Sequence, residues 1–458
     1  MTTDRAKDNH ALDGAILRTF IKYLIPSLVG LIAMTSASLV DGIFIGNYVG
    51  VTALAAVNLI IPIMTLLFGI GMMVSIGSSV RGGKYLGKMD TSAASAIFSK
   101  ALIFMVIYGV VVIALGLLFE AQLFAGLGAS AELFPVMSAY YRTIMPFLLP
   151  QLIMILMYFF IRLDGLPNLA SAALSVGAAV NIALDYLFIV VYGWGLTGAA
   201  LATGLSEVVP LLVMLVYFLR PERTLHFSFR QNNWKELFEA AYNGISEFIN
   251  EVSGAIIAFV FNWMLIQRAG VTGVAAITVV NYLLLIGFMM FFAISDCSQV
   301  MISQNFGAGN AERIRAFMRT AGGMVALFSL VFIAILMTAS EPLIYLFVDE
   351  RNSSETVSLA LEFVTYVWPL FLFAGFNMLI SGYLTALHLP FQSGLVALCR
   401  SLILPTGFLL LFYVLISDHR FVAAISVSEG FAFLLAIAFF LRHTPEKAVS
   451  DEPEFHKC

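Results

Sequence analysis

Charge is scarce in this chain: Asp, Glu, Lys and Arg make up only 11% of its 458 residues, against roughly 25% in soluble domains. A chain so poor in charge cannot cover itself with a water-compatible surface. Cysteine is scarcer still. Cys297, Cys399 and Cys458 are scattered, which excludes a disulfide framework or a thiolate metal centre. No GxxxxGK[ST] loop is present to cradle a nucleotide, so ATP-driven work by this chain alone is not expected, and no HExxH pair marks a metalloenzyme. No resident cofactor and no enzyme activity are expected. A net charge of −4 gives no electrostatic reason for a nucleic-acid partner. The first 19 residues are polar and lack the apolar core of a secretory signal, so the first apolar segment is expected to serve as its own insertion signal. Asn352-Ser353-Ser354 matches the glycosylation triplet, which is too short to carry weight.

Apolar residues, by contrast, make up 60% of the chain. Crossing a bilayer takes roughly 20 consecutive apolar residues in a helix. Twelve such segments are read near 20–45, 53–80, 93–119, 134–160, 169–191, 199–219, 237–265, 274–301, 316–340, 357–384, 393–416 and 421–442. Their apolar runs are continuous rather than alternating, which disfavours a barrel. The expected fold is an all-α membrane protein. Arg81, Lys84 and Lys88 follow span 2, Arg220, Arg223, Arg230 and Lys235 follow span 6, and Arg313 and Arg315 follow span 8. The opposite loops carry Glu120, Glu132, Glu341, Asp349, Glu350 and Glu355. Basic loops stay on the cytoplasmic side, so both termini and the longest linker are expected there.

The two halves repeat. GVTALAAVN (50–58) aligns without gaps with GVTGVAAIT (270–278), an offset of 220 that also aligns the loop RGGKYLGKMD with MISQNFGAGN. Leu166-Pro167 matches Leu389-Pro390 at offset 223, and LSEVVPLLVMLVYFLR (205–220) matches VSEGFAFLLAIAFFLR (427–442) at offset 222. The expected organisation is an N-lobe at 1–220, a cytoplasmic linker at 221–236 and a C-lobe at 237–458 with a short polar tail. Six spans per half give the repeats the same orientation, with a substrate cleft expected between them.

Ionisable residues at bilayer depth are costly unless they face an interior cavity, which makes each a functional candidate. At roughly 1.5 Å per residue, Asp41 lies about 31 Å along span 1 and Asp185 about 24 Å along span 5, both in the outer half. Asn181 precedes Asp185 by one turn on the same helix face. Two poorly solvated carboxylates would be relieved by a proton. With Asn181 and a hydroxyl such as Thr203, the same oxygens could instead ligate Na⁺. Glu207 and Glu429 are repeat mates, for which a shared structural role is favoured over a symmetric pathway. Glu247 and Glu251 lie one turn apart in span 7, where the first half has Ser27 and Leu31. They are candidates for a second ion or substrate site, weighed evenly against a hydrogen-bonded core role. Asp296 and Glu362 are read as lying near helix ends, and Arg142 and Arg400 as partners for acids the sequence does not identify. Pro26, about four turns below Asp41, removes a backbone donor and would permit span 1 to bend.

These features resemble the multidrug and toxic compound extrusion (MATE) family across nearly the whole chain. NIALDYLFI (181–189) and LVDGIFIG (39–46) point to its DinF-like branch. The resemblance implies two six-helix lobes in a V-shaped, monomeric protein of the bacterial cytoplasmic (inner) membrane. Its expected activity is secondary antiport of amphipathic or cationic drugs against H⁺ or Na⁺. It also implies that Asp41, Asn181, Asp185 and Thr203 form an N-lobe cation site. Ala37 departs from a tyrosine found in some relatives, and Glu251 sits near the span-7 acid of the NorM-type branch. The alternative within the same superfamily is a flippase of lipid-linked precursors, disfavoured because the interior charges are mostly acidic.

Overall fold

The computed structural model describes residues 10–345 and 354–452. Asp349, Glu350, Cys458 and the first two residues of the glycosylation triplet lie outside the described residues. Among the described residues, eleven helices are long and apolar enough to cross a membrane. One of them, Ile245–Gly307, runs 63 residues and is interrupted at Gly270, with φ 62° and ψ −160°. It is therefore spans 7 and 8 joined end to end, which restores the expected twelve. Gly50, its repeat mate, has φ 112° and separates span 1 from span 2. Both copies of the GVT motif open on glycine because a Cβ is poorly tolerated at these dihedrals.

The chain divides into two compact units. The first runs to Gly244 apart from Ala15–Phe20, which group with the second, Ile245 onward. In the first, span 2 (Val51–Gly87), span 3 (Thr91–Leu118), span 5 (Pro167–Val191) and span 6 (Gly195–Leu219) are arranged about span 4 (Leu133–Leu163), and span 1 (Ile16–Val49) lies against span 5 at Gly30. Met154–Leu163 are buried without exception where span 4 meets spans 2, 3, 5 and 6. In the second unit, span 9 is Ala311–Ile344, span 11 is Pro390–Leu415 and span 12 is His419–Arg442. Span 10 (Ser354–Ala386) takes the core role there, with Leu379–Ala386 all buried. Prolines 167 and 390 each sit in the first turn of their helices, where the missing N–H costs nothing and the fixed φ favours the helix.

The division at Gly244 differs from a boundary at 236/237, and the packing of the linker shows why. Its backbone N–H groups are satisfied by first-unit side chains. Thr224 donates to Asp164 (3.0 Å), Leu225 to the Tyr217 hydroxyl (3.1 Å), His226 to Ser95 (3.1 Å) and Ser228 to Ser99 (3.1 Å). The following helix, Lys235–Asn243, is held by Lys100 on Glu236 (2.6 Å) and Arg81 on Glu239 (3.3 Å), with Tyr85 also donating to Glu236. Its end is seated backbone to backbone. A Cβ on Gly77 would overlap the Ala240 carbonyl, and one on Gly244 would overlap the Met73 carbonyl.

Gly244→Ala is therefore expected to lower stability by about 1–3 kcal/mol through overpacking and to speed limited proteolysis between residues 220 and 234. An unchanged melting temperature and cleavage rate would show that the helix is not seated there. Burial raises the Glu236 carboxyl, but the hydrogen bonds from Lys100 and Tyr85 outweigh this and hold it below its ordinary 4.5. Its contribution is thus complete above that value and lost as pH falls through the lower folded value. Glu236→Gln should cost ~2 kcal/mol near neutrality, and its melting curve should converge with that of the parent protein in acid.

Candidate functional site

Asp41 and Asp185 each stand where a regular helix gives way to a wider, π-type turn. Span 1 widens over Ile45–Val49, and span 5 widens over Tyr186–Val191, directly after Asp185. The two widened segments pack against each other. Such turns carry an extra residue per loop of helix and recur at functional positions. Here they bring the two carboxylates close enough to feel one another's charge.

Neither acid has an ion-pair partner among the described residues. Asp185 is fully buried. Both of its oxygens, Asp41 Oδ1 and the Thr203 hydroxyl are shielded from solvent without a hydrogen-bond partner among the described residues. A buried carboxylate left in that condition carries a desolvation cost of several kcal/mol. Asp41, Asn181 and Thr203 line a cavity of about 70 Å³, room for roughly two waters at liquid density. Asp185 lies behind Asp41 rather than on the cavity wall. The structure thus brings Asp41, Asn181, Asp185 and Thr203 together, with a donor set of carboxylate, amide and hydroxyl oxygens that suits a proton or one small hard cation. Tyr140 of span 4, buried close to both acids, also belongs to the cluster, and no sequence pattern marks it.

Glu207 changes role on the structure. Glu429 has the structural role expected of both repeat mates: it accepts from Arg400 (3.1 Å) and from the Asn377 amide (2.7 Å). Glu207 has only Gln151, at 3.4 Å. By the Leu-Pro register, the residues matching Arg400 and Asn377 in the first half are Gly177 and Met154, and both line the cavity beside Asp41. Loss of the arginine and the asparagine leaves space and a bare carboxylate where the second half has a filled ion pair. Arg400 facing a glycine at this offset is the sequence signal that would have found it. Glu207 and Thr203 also line a second, more apolar cavity of about 170 Å³ that includes Ile60, Met64, Phe147 and Leu148. They therefore form the partition between the polar cavity and the apolar one.

In the second unit, Glu247 and Glu251 are half-exposed. Glu247 lies close enough to Glu251, Asp296 and Arg400 to feel their charges, and Asn250 between the two glutamates accepts from Ser401 (2.7 Å). A cation is thus already near this pair, unlike Asp41 and Asp185. Asp296 is buried. Glu362 takes hydrogen bonds from Tyr366 (2.7 Å) and lies 3.0 Å from His419. Arg142 pairs with Glu120 (2.7 Å). Pro26 lies within an uninterrupted helix.

Among solved structures, the chain superposes on MATE in complex with MaL6 with a TM-score of 0.89 at 22% identity, covering 96% of this chain and 98% of that one. It matches the outward-facing conformation of a multidrug resistance MATE family transporter at 0.87 and 23%, over 96% and 97%. Among curated proteins it is 26% identical to the FAD transporter of Shewanella oneidensis over 87% of this chain and 88% of that protein. It is 25% identical to the probable multidrug resistance protein YoeA of Bacillus subtilis over 74% and 75%. The multidrug export protein MepA of Staphylococcus aureus is 22% identical over 81% and 82%. The MatE family model matches residues 26–187 and 248–406, one segment in each half. This multi-pass, twelve-span membrane protein belongs to the MatE family of transporters.

Proposed function

We propose that the chain is a secondary active exporter of amphipathic and cationic small molecules, driven by inward flow of H⁺ or Na⁺ at Asp41, Asn181, Asp185 and Thr203. The observation that carries this reading is the pair of facing acids without a countercharge. An uncompensated negative pair beside a small cavity attracts a proton or a cation, because either relieves the repulsion and the poor solvation. Ion binding can drive transport only if it differs between conformational states. Bending of span 1 at Pro26, below the site, is the proposed second state. Export from a bacterial cytoplasm by a monomer with both termini inside fits the basic loops described above.

Glu207, reaching both cavities, is the proposed contact for the positive group of a substrate whose apolar body rests against Ile60, Met64 and Phe147. Its charge disfavours phosphorylated cargo such as that named for the Shewanella relative, because like charges repel in a poorly solvated site.

Asp185→Asn should insert normally and lose efflux driven by an imposed ΔpH or ΔNa⁺ in proteoliposomes, while Glu251→Gln should retain it. Normal gradient-driven efflux by Asp185→Asn would overturn the first-unit site, and the gradient that drives the parent protein identifies the ion. Glu207→Gln should raise KM roughly 10-fold for cationic substrates, equivalent to about 1.4 kcal/mol, and leave neutral ones unchanged. An equal effect on both classes would remove Glu207 from substrate contact.

A further inference from the structure

A groove in the second unit has no counterpart in the first, because there the chain itself fills it. Span 3 and span 9 are repeat mates in exact register. Asp90 caps span 3 by accepting from Ala93, and Asn310 caps span 9 by accepting from Arg313, both at offset 220. At that offset Ser95 corresponds to Arg315 and Ser99 to Arg319. In the first unit the linker lies across these serines as irregular chain. Ser95 accepts from the His226 N–H and Ser99 from the Ser228 N–H, both at 3.1 Å.

After span 12 the chain turns instead into a short helix, Pro445–Ser450. Glu446 of that helix reaches Arg315. Arg319 is exposed and has no polar partner among the described residues. That helix covers only part of the surface matching the one under the linker, and a groove remains beside it. It is a cavity of about 450 Å³ between spans 9, 10 and 12, several times the volume of the Asp41 cavity. Phe376, Ile380, Phe433 and Ile437 form its body, and Arg315 and Arg319 stand at one end.

We propose that this groove binds an anionic phospholipid, with the phosphate held by Arg319 and Arg315 and an acyl chain lying over Phe376, Phe433 and Ile437. Away from the charged end, the Phe376, Ile380, Phe433 and Ile437 walls offer water none of the two to four polar partners it needs. The arginines repel the cationic substrates proposed above, which separates this groove from the transport path. Guanidinium groups match a phosphate with paired hydrogen bonds, and basic pockets between membrane helices take acidic headgroups. The two features together, a charged end and an apolar trough, fit a lipid better than a free anion.

The test is native mass spectrometry of the full chain in detergent, titrated with phosphatidylglycerol, phosphatidylethanolamine or phosphatidylcholine of identical acyl chains. The parent protein should retain phosphatidylglycerol preferentially. Arg319→Gln should lose that preference roughly 10-fold. Ile437→Trp, which fills the trough and leaves both arginines, should reduce binding of all three lipids. Circular dichroism melting of each variant controls for folding, since Arg319 is exposed and its loss leaves the core untouched. Equal retention of phosphatidylglycerol by the parent and Arg319→Gln overturns the proposal. So does displacement of the lipid by glycerol phosphate at equal concentration, which would assign the site to a free anion. Amine labelling at Lys457 that rises on Arg319→Gln substitution without lipid would overturn it in favour of residues 453–458 as occupant.

Discussion

Two carboxylates held together away from solvent, with no basic side chain between them, are the constraint on which the first unit turns. Asp41 and Asp185 come from different helices, and each lies beside a segment of widened helix. Those segments pack on one another, so the acids cannot relax apart without unpacking both ends of spans 1 and 5. Among the described residues, no basic side chain offsets the cost of bringing them together. An arrangement that opposes the lobe's own stability persists in membrane proteins where it serves transport. The small cavity beside Asp41, with its amide and hydroxyl oxygens, would supply the remaining partners of an ion bound as proposed.

Duplication explains the frame, and departures from it carry the chemistry. Spans 4 and 10 form matching buried cores, and glycines 50 and 270 make matching breaks. Offset 223 then sets Gly177 against Arg400 and Met154 against Asn377, and offset 220 sets Ser99 against Arg319. The first exchange empties a polar pocket and exposes Glu207. The last converts a seat for the chain's own linker into a basic mouth above an apolar trough. In each case one half closes a position with its own atoms and the other leaves it open to a ligand.

Spans, repeat and the depth of Asp41 and Asp185 were legible because hydrophobic runs, loop charge and helical rise are all properties of local sequence. The depth arithmetic puts both acids in one layer, and the structure adds that they lie close enough to feel one another's charge. The role of Glu207 was not legible from the Ser-Glu repeat alone, since the divergence lies in partners two helices away. Tyr140 gave no signal, because an aromatic residue in an apolar span has no distinguishing pattern. The seating of the linker carries no local signal: its backbone N–H groups and Glu236 are bonded to Asp164, Tyr217, Ser95, Ser99 and Lys100, which only the fold brings to it, and two glycines let the following helix sit directly on span 2.

The widened turns have a geometric corollary for span 1. A π-type turn accommodates one residue more than the α-turn it replaces. Rewinding Ile45–Val49 to regular pitch would therefore advance the helix by about 1.5 Å and swing everything beyond it by about 100°. Asp41 lies on the near side of that segment and would keep its azimuth, while Tyr48 and Gly50 would be carried round to a new face. A single change of winding, confined to five residues, could thus reorient the outer mouth of the helix like a screw thread while leaving the carboxylate in place.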